Sequence, residues 1–369
     1  MQRAAQVSRR THHSSLITVC HLSLATTVIN LKTMKAAVIH ETGQPLTIET
    51  VDRPVIADDE VLVKVEACGV CHSDLHLAEG DWQQMQRVVK LPLIPGHEVV
   101  GRVIERGSAV TALEVGDRVG VTWVYWTCGE CDLCREGKEN LCRNQLITGA
   151  SVAGGYAEFI KAKASHALRV PDALGSAEAA PLFCAGVTVY RAVKRAEVEP
   201  NQRLAVFGVG GLGHLAVQVA RHFSAQVIAV DVSEEKLEIA RSFGAEVTVN
   251  AATEDTVKTL RKLGGLHAAV VTSGAKAAYD AAFLAMRPAG RLIVVGMPAE
   301  PLTFPAIMLR EITITSAATG TRDDLRDVLQ LAAAGAVRCL IETRQVDDIN
   351  EVFDAMRAGK IAGRIVLTF

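Results

Sequence analysis

Two different patterns of hydrophobic and polar positions divide the chain. From residue 34 to about residue 183, short apolar runs such as 61–65 are broken by Gly, Pro and Asp, which is typical of strands in a barrel-like unit. From about residue 185 onward, short apolar runs alternate with segments of helical period. Because this alternation is typical of a parallel sheet with helical crossovers, we predict an α/β protein in which a β-rich unit precedes a doubly wound one.

The elements of the second unit can be predicted one by one. For its six-stranded doubly wound sheet, we expect strands at residues 204–207, 227–230, 268–272, 291–295 and 312–315, with helices at 212–223 and 234–243. Near the C-terminus, a helix at 322–334 and a strand at 364–369 follow. We expect these last elements to return and pack on the first unit.

The first 33 residues differ from the rest of the chain. They carry four basic residues and many Ser and Thr, and no acidic residue occurs before Glu41, which is the composition of an organelle transit segment. Met34 opens an apolar run with strand character, so residues 1–33 also fit an upstream extension or a disordered tail. In either case we place them outside the predicted fold.

Composition and charge narrow the class of protein. Hydrophobic residues make up 49% of the 369 positions, which supports well-developed cores in about two domains. Because 39 basic side chains balance 41 acidic ones and no basic block occurs, we do not expect nucleic acid as a partner. Apolar stretches are too short for a membrane span. Four of the nine cysteines lie at metal-ligand intervals, so we expect a soluble cytoplasmic protein in a reducing compartment.

A glycine-rich motif follows the predicted strand 204–207 and leads directly into a helix. Its residues are Gly208, Gly210, Gly211, Leu212 and Gly213. In this context the pattern predicts a dinucleotide site, in which glycines allow a tight turn and the helix start binds a pyrophosphate. Asp231, at the end of the next strand, would bind the adenosine ribose and repel a 2′-phosphate, so NAD is favoured over NADP. Lys236 and Val295 are further expected cofactor contacts; the alternative is a glycine turn without a ligand.

Four cysteines lie close together in a loop marked by two glycines. They are Cys128, Cys131, Cys134 and Cys142, in the spacing C-x2-C-x2-C-x7-C. Four thiolates can surround one tetrahedral zinc ion and leave no open position, so we predict a structural site. An iron–sulfur cluster takes the same ligands. Zinc is favoured because other residues of the chain suit zinc chemistry.

Those other residues are Cys71, His97 and Cys184. Two thiolates and a neutral imidazole suit zinc, and three protein ligands leave a fourth position for water or substrate. Spacing alone does not join these residues, since they lie far apart in the chain. Each by itself fits a buried thiol or a packed histidine better than it fits a metal ligand.

In combination, these motifs resemble the zinc-containing medium-chain alcohol dehydrogenases, especially the bacterial and yeast type. The resemblance runs from residue 34 to the C-terminus, and the motifs occur in the family's order. It implies a GroES-like catalytic domain at residues 34–185 and 318–369, with a Rossmann domain at 186–317. It also implies an NAD-dependent enzyme that interconverts a small primary alcohol and its aldehyde, two zinc ions per chain, and a homotetramer.

The resemblance implies a role for each matching residue. The catalytic zinc would be bound by Cys71, His97 and Cys184, a ligand set that is carried over from the alcohol dehydrogenase family. Glu98 would lie beside the zinc or bind it transiently, and Asp74 would orient His97. The remaining residues would handle the proton and the cofactor: Ser73 would take the alcohol proton and pass it through the ribose to His76, while His72 and Arg364 would contact the phosphates.

Substrate range is addressed by fewer residues. Trp82 and Trp123 match positions where small-alcohol members of the family place aromatic walls, which would restrict the pocket to short alcohols. The segment 83–91 after Trp82 is longer than expected for the yeast type. One alternative function is therefore a related zinc dehydrogenase for polyols, aromatic alcohols or a formaldehyde adduct. Another is a redox-inactive nucleotide-binding protein on the same fold.

Overall fold

Short strands dominate the first part of the computed structural model, which describes residues 32–298 and 300–369; the predicted leader lies outside them except for its last two residues. The strands are β1 (Thr33–Val38), β2 (Thr47–Asp52), β3 (Glu60–Gly69), β4 (Glu98–Arg106), β5 (Arg118–Val121), β6 (Val124–Trp126), β7 (Leu146–Ile147), β8 (Phe159–Lys163) and β9 (Leu168–Arg169). The helices are α1 (His72–Glu79), α2 (Asp132–Arg135), α3 (Ser176–Ala179) and α4 (Ala185–Ala196).

β3 is the central strand of the first unit. It pairs antiparallel with β4 on one side and with β8 over its first half, while β4 continues through β5 to β9. Val61, Val63 and Val65 of β3 share an apolar core with Val99 and Val103 of β4. This alternation of inward-facing residues agrees with the strand pattern predicted from the sequence.

A six-stranded parallel sheet forms the second unit. Its strands are β10 (Arg203–Phe207), β11 (Gln226–Asp231), β12 (Val247–Asn250), β13 (Leu266–Val271), β14 (Met286–Val294) and β15 (Thr313–Ser316), in the order β12-β11-β10-β13-β14-β15. Between them run α5 (Gly213–His222), α6 (Glu234–Ser242), α7 (Thr256–Lys262) and α8 (Lys276–Ala285). The five strands predicted individually are present. β12 has only Val249 buried, so its apolar signal is too weak to stand out.

The C-terminal segment returns to the first sheet. It consists of α9 (Arg322–Ala333), β16 (Ile341–Gln345), α10 (Ile349–Arg357) and β17 (Arg364–Thr368). β17 pairs antiparallel with the end of β3, with Val366 opposite Gly69. The start of β17 is thereby brought to the carboxyl end of β3, close to the cluster described below.

The two faces of the parallel sheet bury different cores. Leu204 and Val206 of β10 pack on the side of α4, α5 and α9, whereas Ala205 and Phe207 pack on the side of α7 and α8. Helices therefore cover both faces, as the continuous apolar strands require. In the described part of the chain, no helix has both the length and the apolar character needed to span a membrane.

Candidate active site

A buried cluster of two thiols, an imidazole and a carboxyl lies where β3, β4 and α4 meet. Cys71 follows β3, His97 and Glu98 stand at the start of β4, and Cys184 immediately precedes α4. Antiparallel pairing sets Gly69 opposite Glu98, which brings together residues that are far apart in sequence. One ligand atom from each member of the cluster lies within 4.8 Å of the others.

Separations in this cluster fit a tetrahedral metal ion. Cys71 Sγ and Cys184 Sγ are 4.0 Å apart, and His97 Nε2 lies 3.3 Å from Cys184 Sγ. Tetrahedral zinc with bonds of usual length puts such atoms about 3.5 to 3.8 Å apart. Two thiolates and one imidazole form a donor set that zinc prefers, and they leave a fourth position open. The residues present therefore fit a catalytic zinc ion.

A buried carboxylate fixes the orientation of His97. Asp74 Oδ1 accepts hydrogen bonds from His97 Nδ1 at 2.9 Å and from Gly96 N at 3.1 Å. Asp74 Oδ2 accepts from Tyr156 Oη at 2.9 Å and from Cys71 N at 3.1 Å. With Nδ1–H engaged, His97 presents the lone pair of Nε2 to the two sulfurs. Tyr156 was not predicted, because a lone Tyr carries no sequence signal for so distant a contact.

Charges around the cluster favour a cation at its centre. A hydrogen bond from Cys184 holds the pKa of the Cys71 thiol well below its usual range. Burial disfavours the charged imidazole of His97, but the Asp74 carboxylate outweighs burial and raises the pKa of His97. A thiolate beside buried carboxylates therefore stabilises positive charge here, which a metal ion would supply.

Glu98 connects the cluster to the C-terminal strand. Its Oε1 accepts a hydrogen bond from the guanidinium of Arg364, the first residue of β17, and both side chains are buried. Burial raises the pKa of Glu98 to about 7, although the charge of Arg364 opposes this shift. Among the described residues, Glu98 Oε2 finds no hydrogen-bond partner, and a Cβ at residue 69 would lie 2.0 Å from it. An unpartnered buried oxygen beside two thiols suits a transient metal ligand.

The two residues expected to form a proton relay lie on the same helix. Ser73 stands in the first turn of α1, two residues after Cys71, and is half-buried. His76 lies three residues further on, so both side chains project from one side of the helix. His76 Nδ1 is 2.9 Å from Asp81 Oδ1, close to the surface. His72, the first residue of α1, is exposed.

Two tryptophans lie beside the cluster. The ring of Trp123 contacts the ring of His97 edge-on, with centroids 4.8 Å apart, and Trp82 stacks on Trp123 at 5.8 Å. The longer segment 83–91 folds onto this pair, because Met85 is buried in the same apolar cluster as Trp123. Of the two tryptophans predicted to form pocket walls, Trp123 therefore contacts His97, and Trp82 contacts Trp123.

Four thiols of the cysteine lobe, residues 128–142, also converge. Cys142 Sγ lies 3.5 Å from Cys128 Sγ and 4.0 Å from Cys131 Sγ, and all four ligand atoms of the lobe lie within 4.8 Å of one another. Backbone N–H groups of Glu130 and Cys131 point at Cys128 and lower its pKa to about 6. A thiolate is the form that binds zinc, so the four predicted structural ligands fit a closed site.

Polar contacts attach the cysteine lobe to the start of α9. Arg322 Nε donates to Glu139 Oε1 at 2.9 Å, and Asn140 Nδ2 donates to the backbone oxygen of Ala318 at 2.9 Å. Nearby, the buried ring of His166 lies 3.1 Å from Thr127 Oγ1, one residue before the first lobe cysteine. Burial lowers the pKa of His166 to about 4, assisted by the charge of Arg322.

Each glycine of the glycine-rich loop has a separate structural reason. Gly208 has φ of +90°, which only glycine adopts readily, and a Cβ at residue 213 would lie 1.8 Å from Gly208 O. A Cβ at residue 211 would lie 2.9 Å from Arg364 Cδ. In contrast, a Cβ at residue 210 would meet nothing within 4 Å. This open space at the start of α5 fits a pyrophosphate that approaches the backbone.

The other expected cofactor contacts surround this loop. Asp231 Oδ2 accepts from Val209 N at 2.7 Å, so the acid lies directly beside the glycine turn. Leu212 caps α5, Lys236 is half-buried on α6, and Val295 follows β14. The glycine-rich loop follows β10, whose neighbours in the sheet are β11 and β13, so the loop lies at the switch point of the doubly wound sheet.

Similarity to known proteins agrees with this geometry. The family profile of alcohol dehydrogenase GroES-like domains matches residues 57–172, and that of zinc-binding dehydrogenases matches residues 211–334. The chain belongs to this family of zinc-binding dehydrogenases. An alcohol dehydrogenase of Geobacillus stearothermophilus is 47% identical over 337 residues, which are 90% of this chain and 99% of that protein.

Solved structures show the same architecture. The alcohol dehydrogenase of the archaeon Aeropyrum pernix has a TM-score of 0.85 at 37% identity, covering 91% of this chain and all of that chain (100%). Acetophenone reductase of Geotrichum candidum, solved in complex with NAD, has a TM-score of 0.83 at 32% identity, covering 92% and 98%. The predicted family, the GroES-like and Rossmann fold class, and the prediction of a zinc- and NAD-dependent alcohol dehydrogenase are thereby confirmed.

Proposed function

We propose that the chain interconverts small primary alcohols and their aldehydes, with NAD as the hydride carrier. The observation that carries this proposal is the cluster of Cys71, His97 and Cys184 beside Trp123, within the same molecule as a glycine-rich loop open to a dinucleotide. In the family that the chain resembles, such a cluster holds the catalytic zinc. When bound there, zinc would polarise the alcohol oxygen and lower the pKa of the hydroxyl.

The residues of α1 supply the proton route in this proposal. Ser73, next to the cluster, accepts the proton of the alcohol, because a hydroxyl can accept and donate in turn. His76 releases the proton at the surface. Its Nδ1 is engaged by Asp81, which leaves Nε2 to pick up the proton. The ribose of the cofactor lies between the two in the family precedent.

A preference for NAD over NADP rests on Asp231. Its carboxylate stands beside the glycine turn, where a ribose 2′-phosphate would meet a like charge. His72, Lys236, Val295, Arg364 and the motif residues from Gly208 to Gly213 complete the proposed cofactor site. We expect Asp231→Ser to raise kcat/KM for NADP relative to NAD by about tenfold or more. An unchanged ratio in steady-state kinetics would mean that another group reads the ribose.

Small substrates are supported by the apolar wall beside His97. Trp82, Trp123 and the buried Met85 form one apolar cluster next to His97, and we infer that this cluster limits the space for a bulky alcohol. We expect Met85→Ala to raise kcat/KM for benzyl alcohol relative to ethanol, while Leu77→Val, a smaller change in the same apolar cluster, leaves the ratio nearly unchanged.

The decisive assay follows NADH absorbance with a panel of alcohols and aldehydes, alongside a zinc count per chain. The proposal expects turnover of short primary alcohols and two zinc ions per chain, one on Cys71, His97 and Cys184 and one on the lobe. Turnover confined to polyols, aromatic alcohols or a formaldehyde adduct would show that small primary alcohols are the wrong substrate class. No turnover by the zinc-loaded chain would overturn the proposal.

Assembly and location complete the proposal. Met308 and Leu309 are 75% and 81% exposed, and β15 forms an open edge of the parallel sheet. Exposed apolar residues beside the free side of an edge strand favour contact with a second copy. We propose a homo-oligomer, a tetramer by family precedent, in the cytoplasm. Light scattering at micromolar concentration tests this, and a strictly monomeric chain would contradict it.

A further inference from the structure

His214, the residue after the last glycine of the motif, is buried between the glycine-rich loop and the segment leading into β16. Its Nδ1 lies 2.9 Å from Gly210 O, four residues earlier. Its Nε2 accepts a hydrogen bond from Leu340 N at 3.2 Å. The imidazole therefore joins a carbonyl of the dinucleotide loop to a backbone amide of the returning C-terminal segment.

Gln218, one helical turn further along α5, repeats the same pattern. Its Nε2 donates to His214 O at 2.9 Å, again four residues earlier, and its Oε1 accepts from Arg338 N at 3.0 Å. Two successive turns of α5 are thus hydrogen-bonded to residues 338–340 in the same way. Only the first of them touches the glycine-rich loop.

Leu340 connects His214 to Arg364 and Glu98 of the buried metal-binding cluster. Leu340 O accepts a hydrogen bond from Arg364 N at 2.8 Å, and the Arg364 guanidinium binds Glu98. Arg364 also lies beside Gly211, since a Cβ at residue 211 would be 2.9 Å from Arg364 Cδ. His214 and Arg364 therefore contact the same loop, and Leu340 links them to each other.

The connection requires a neutral imidazole, with one N–H donor and one acceptor. Burial lowers the pKa of His214 to about 4, and the charge of Arg364 acts in the same direction. At neutral pH the ring therefore has the form that both hydrogen bonds need. Nδ1–H donates to Gly210, and Nε2 accepts from Leu340.

We propose that His214 is a positioning residue of the dinucleotide site, which holds the Gly210 carbonyl against Leu340 and so fixes the glycine-rich loop relative to the Arg364 side chain. Both the loop amides and the guanidinium then meet the pyrophosphate in one prearranged geometry. His214 does not touch the cofactor; it acts through Gly210 and Leu340. This role rests on the proposed cofactor site and adds a residue that the glycine pattern does not include.

The test compares three variants of the full-length, zinc-loaded protein. His214→Leu removes both hydrogen bonds at similar volume. His214→Gln restores them, because Gln218 already makes the equivalent pair from the same helix. Gln218→Leu is the matched control, since it removes the contacts to Arg338 but leaves Gly210 and its partner intact. Fluorescence titration with NADH and competition with ADP-ribose measure binding, and thermal melting is recorded beside both.

We expect His214→Leu to weaken NADH and ADP-ribose about tenfold, because both ligands carry the pyrophosphate, and to raise KM for NAD more than it lowers kcat. His214→Gln should stay within about twofold of the unmodified chain. Gln218→Leu should lower the melting temperature without weakening NADH. Unchanged NADH binding in His214→Leu, or equal weakening in His214→Leu and Gln218→Leu, overturns the inference. Titration of the unmodified chain, measured first, separates this failure from a failure of the proposed function.

Discussion

The two sets of metal-binding residues are built in opposite ways. Cys71, His97 and Cys184 are fixed by strand pairing, by a buried carboxylate and by the start of a helix, all of which belong to the main core. The cysteine lobe has short elements, and α2 within it buries no residue. Its thiols are oriented by nearby backbone N–H groups and by one another. The first site takes its geometry from the core of the fold, whereas the second depends on its thiols, on short elements and on a few polar contacts to the start of α9.

Because of this difference, losing a metal ligand should have a different effect at each site. At the buried site, the surrounding core remains packed when one thiol is absent, so chemistry should suffer before stability. In the lobe, metal binding contributes to folding because little apolar surface is buried there.

Removing a ligand from the buried site should abolish turnover. We expect Cys71→Ala to lower kcat at least about 1,000-fold, because several kcal/mol of transition-state stabilisation is lost with the metal. The zinc count should fall by one, and NADH titration should remain within about twofold of the unmodified chain. Full activity in this variant would contradict the role assigned to Cys71.

Removing the carboxylate that orients His97 should have a smaller effect on the same site. Asp74 accepts four hydrogen bonds, so we expect Asp74→Asn to reduce zinc affinity or kcat by about 10 to 100-fold. Tyr156→Phe removes only one of those bonds and serves as the matched control, with a smaller loss. Equal losses in the two variants would mean that packing, and not orientation of His97, is responsible.

Removing a ligand of the cysteine lobe should lower stability before it lowers activity. We expect Cys131→Ser to lower the melting temperature by about 5 °C or more, while kcat of the folded protein at low temperature stays within about twofold. Scanning calorimetry and a zinc count measure this. Unchanged melting with two zinc ions per chain would remove the contrast between the sites.

Mild acid should weaken the attachment of the lobe through His166. The folded-state pKa of His166 is lowered to about 4 from 6.5, so the folded chain binds fewer protons than the unfolded one. Stability is therefore full above about pH 6.5 and is lost as the pH falls towards 4. We expect a loss of about 1 kcal/mol between pH 7 and 5.5, measured by urea denaturation. His166→Gln should make the free energy of unfolding depend less steeply on pH. If this dependence is unaltered, other groups cause it, and His214 is one of them.

Features that neighbouring residues determine were predicted from the sequence more fully than features that depend on contacts between distant residues. The turn from β10 into α5 and the spacing of the lobe cysteines are determined by neighbouring residues, so the sequence displays them directly. The trio of Cys71, His97 and Cys184 became visible only through resemblance to a family, since β-pairing and not spacing joins it. His214 and Tyr156 were not predicted, because each acts through a partner that is distant in sequence.

The same physical reason explains why the sixth strand lacked an individual prediction. β12 lies at the edge of its sheet with one buried residue, and its neighbours decide its conformation more than its own apolar pattern does. For Arg364, in contrast, an individual prediction was made. Family likeness indicated a phosphate contact, and the structure adds the buried pair with Glu98, which joins two parts of the site.

The bare backbone at Gly69 has a consequence for engineering. A methyl group there would lie 2.0 Å from Glu98 Oε2, so Gly69→Ala would force that carboxylate to move. Gly69 is also paired with Val366 of the strand that begins at Arg364. One added carbon would therefore change the position of a negative charge next to the metal-binding residues. Visible spectra of a cobalt-substituted protein would detect that change.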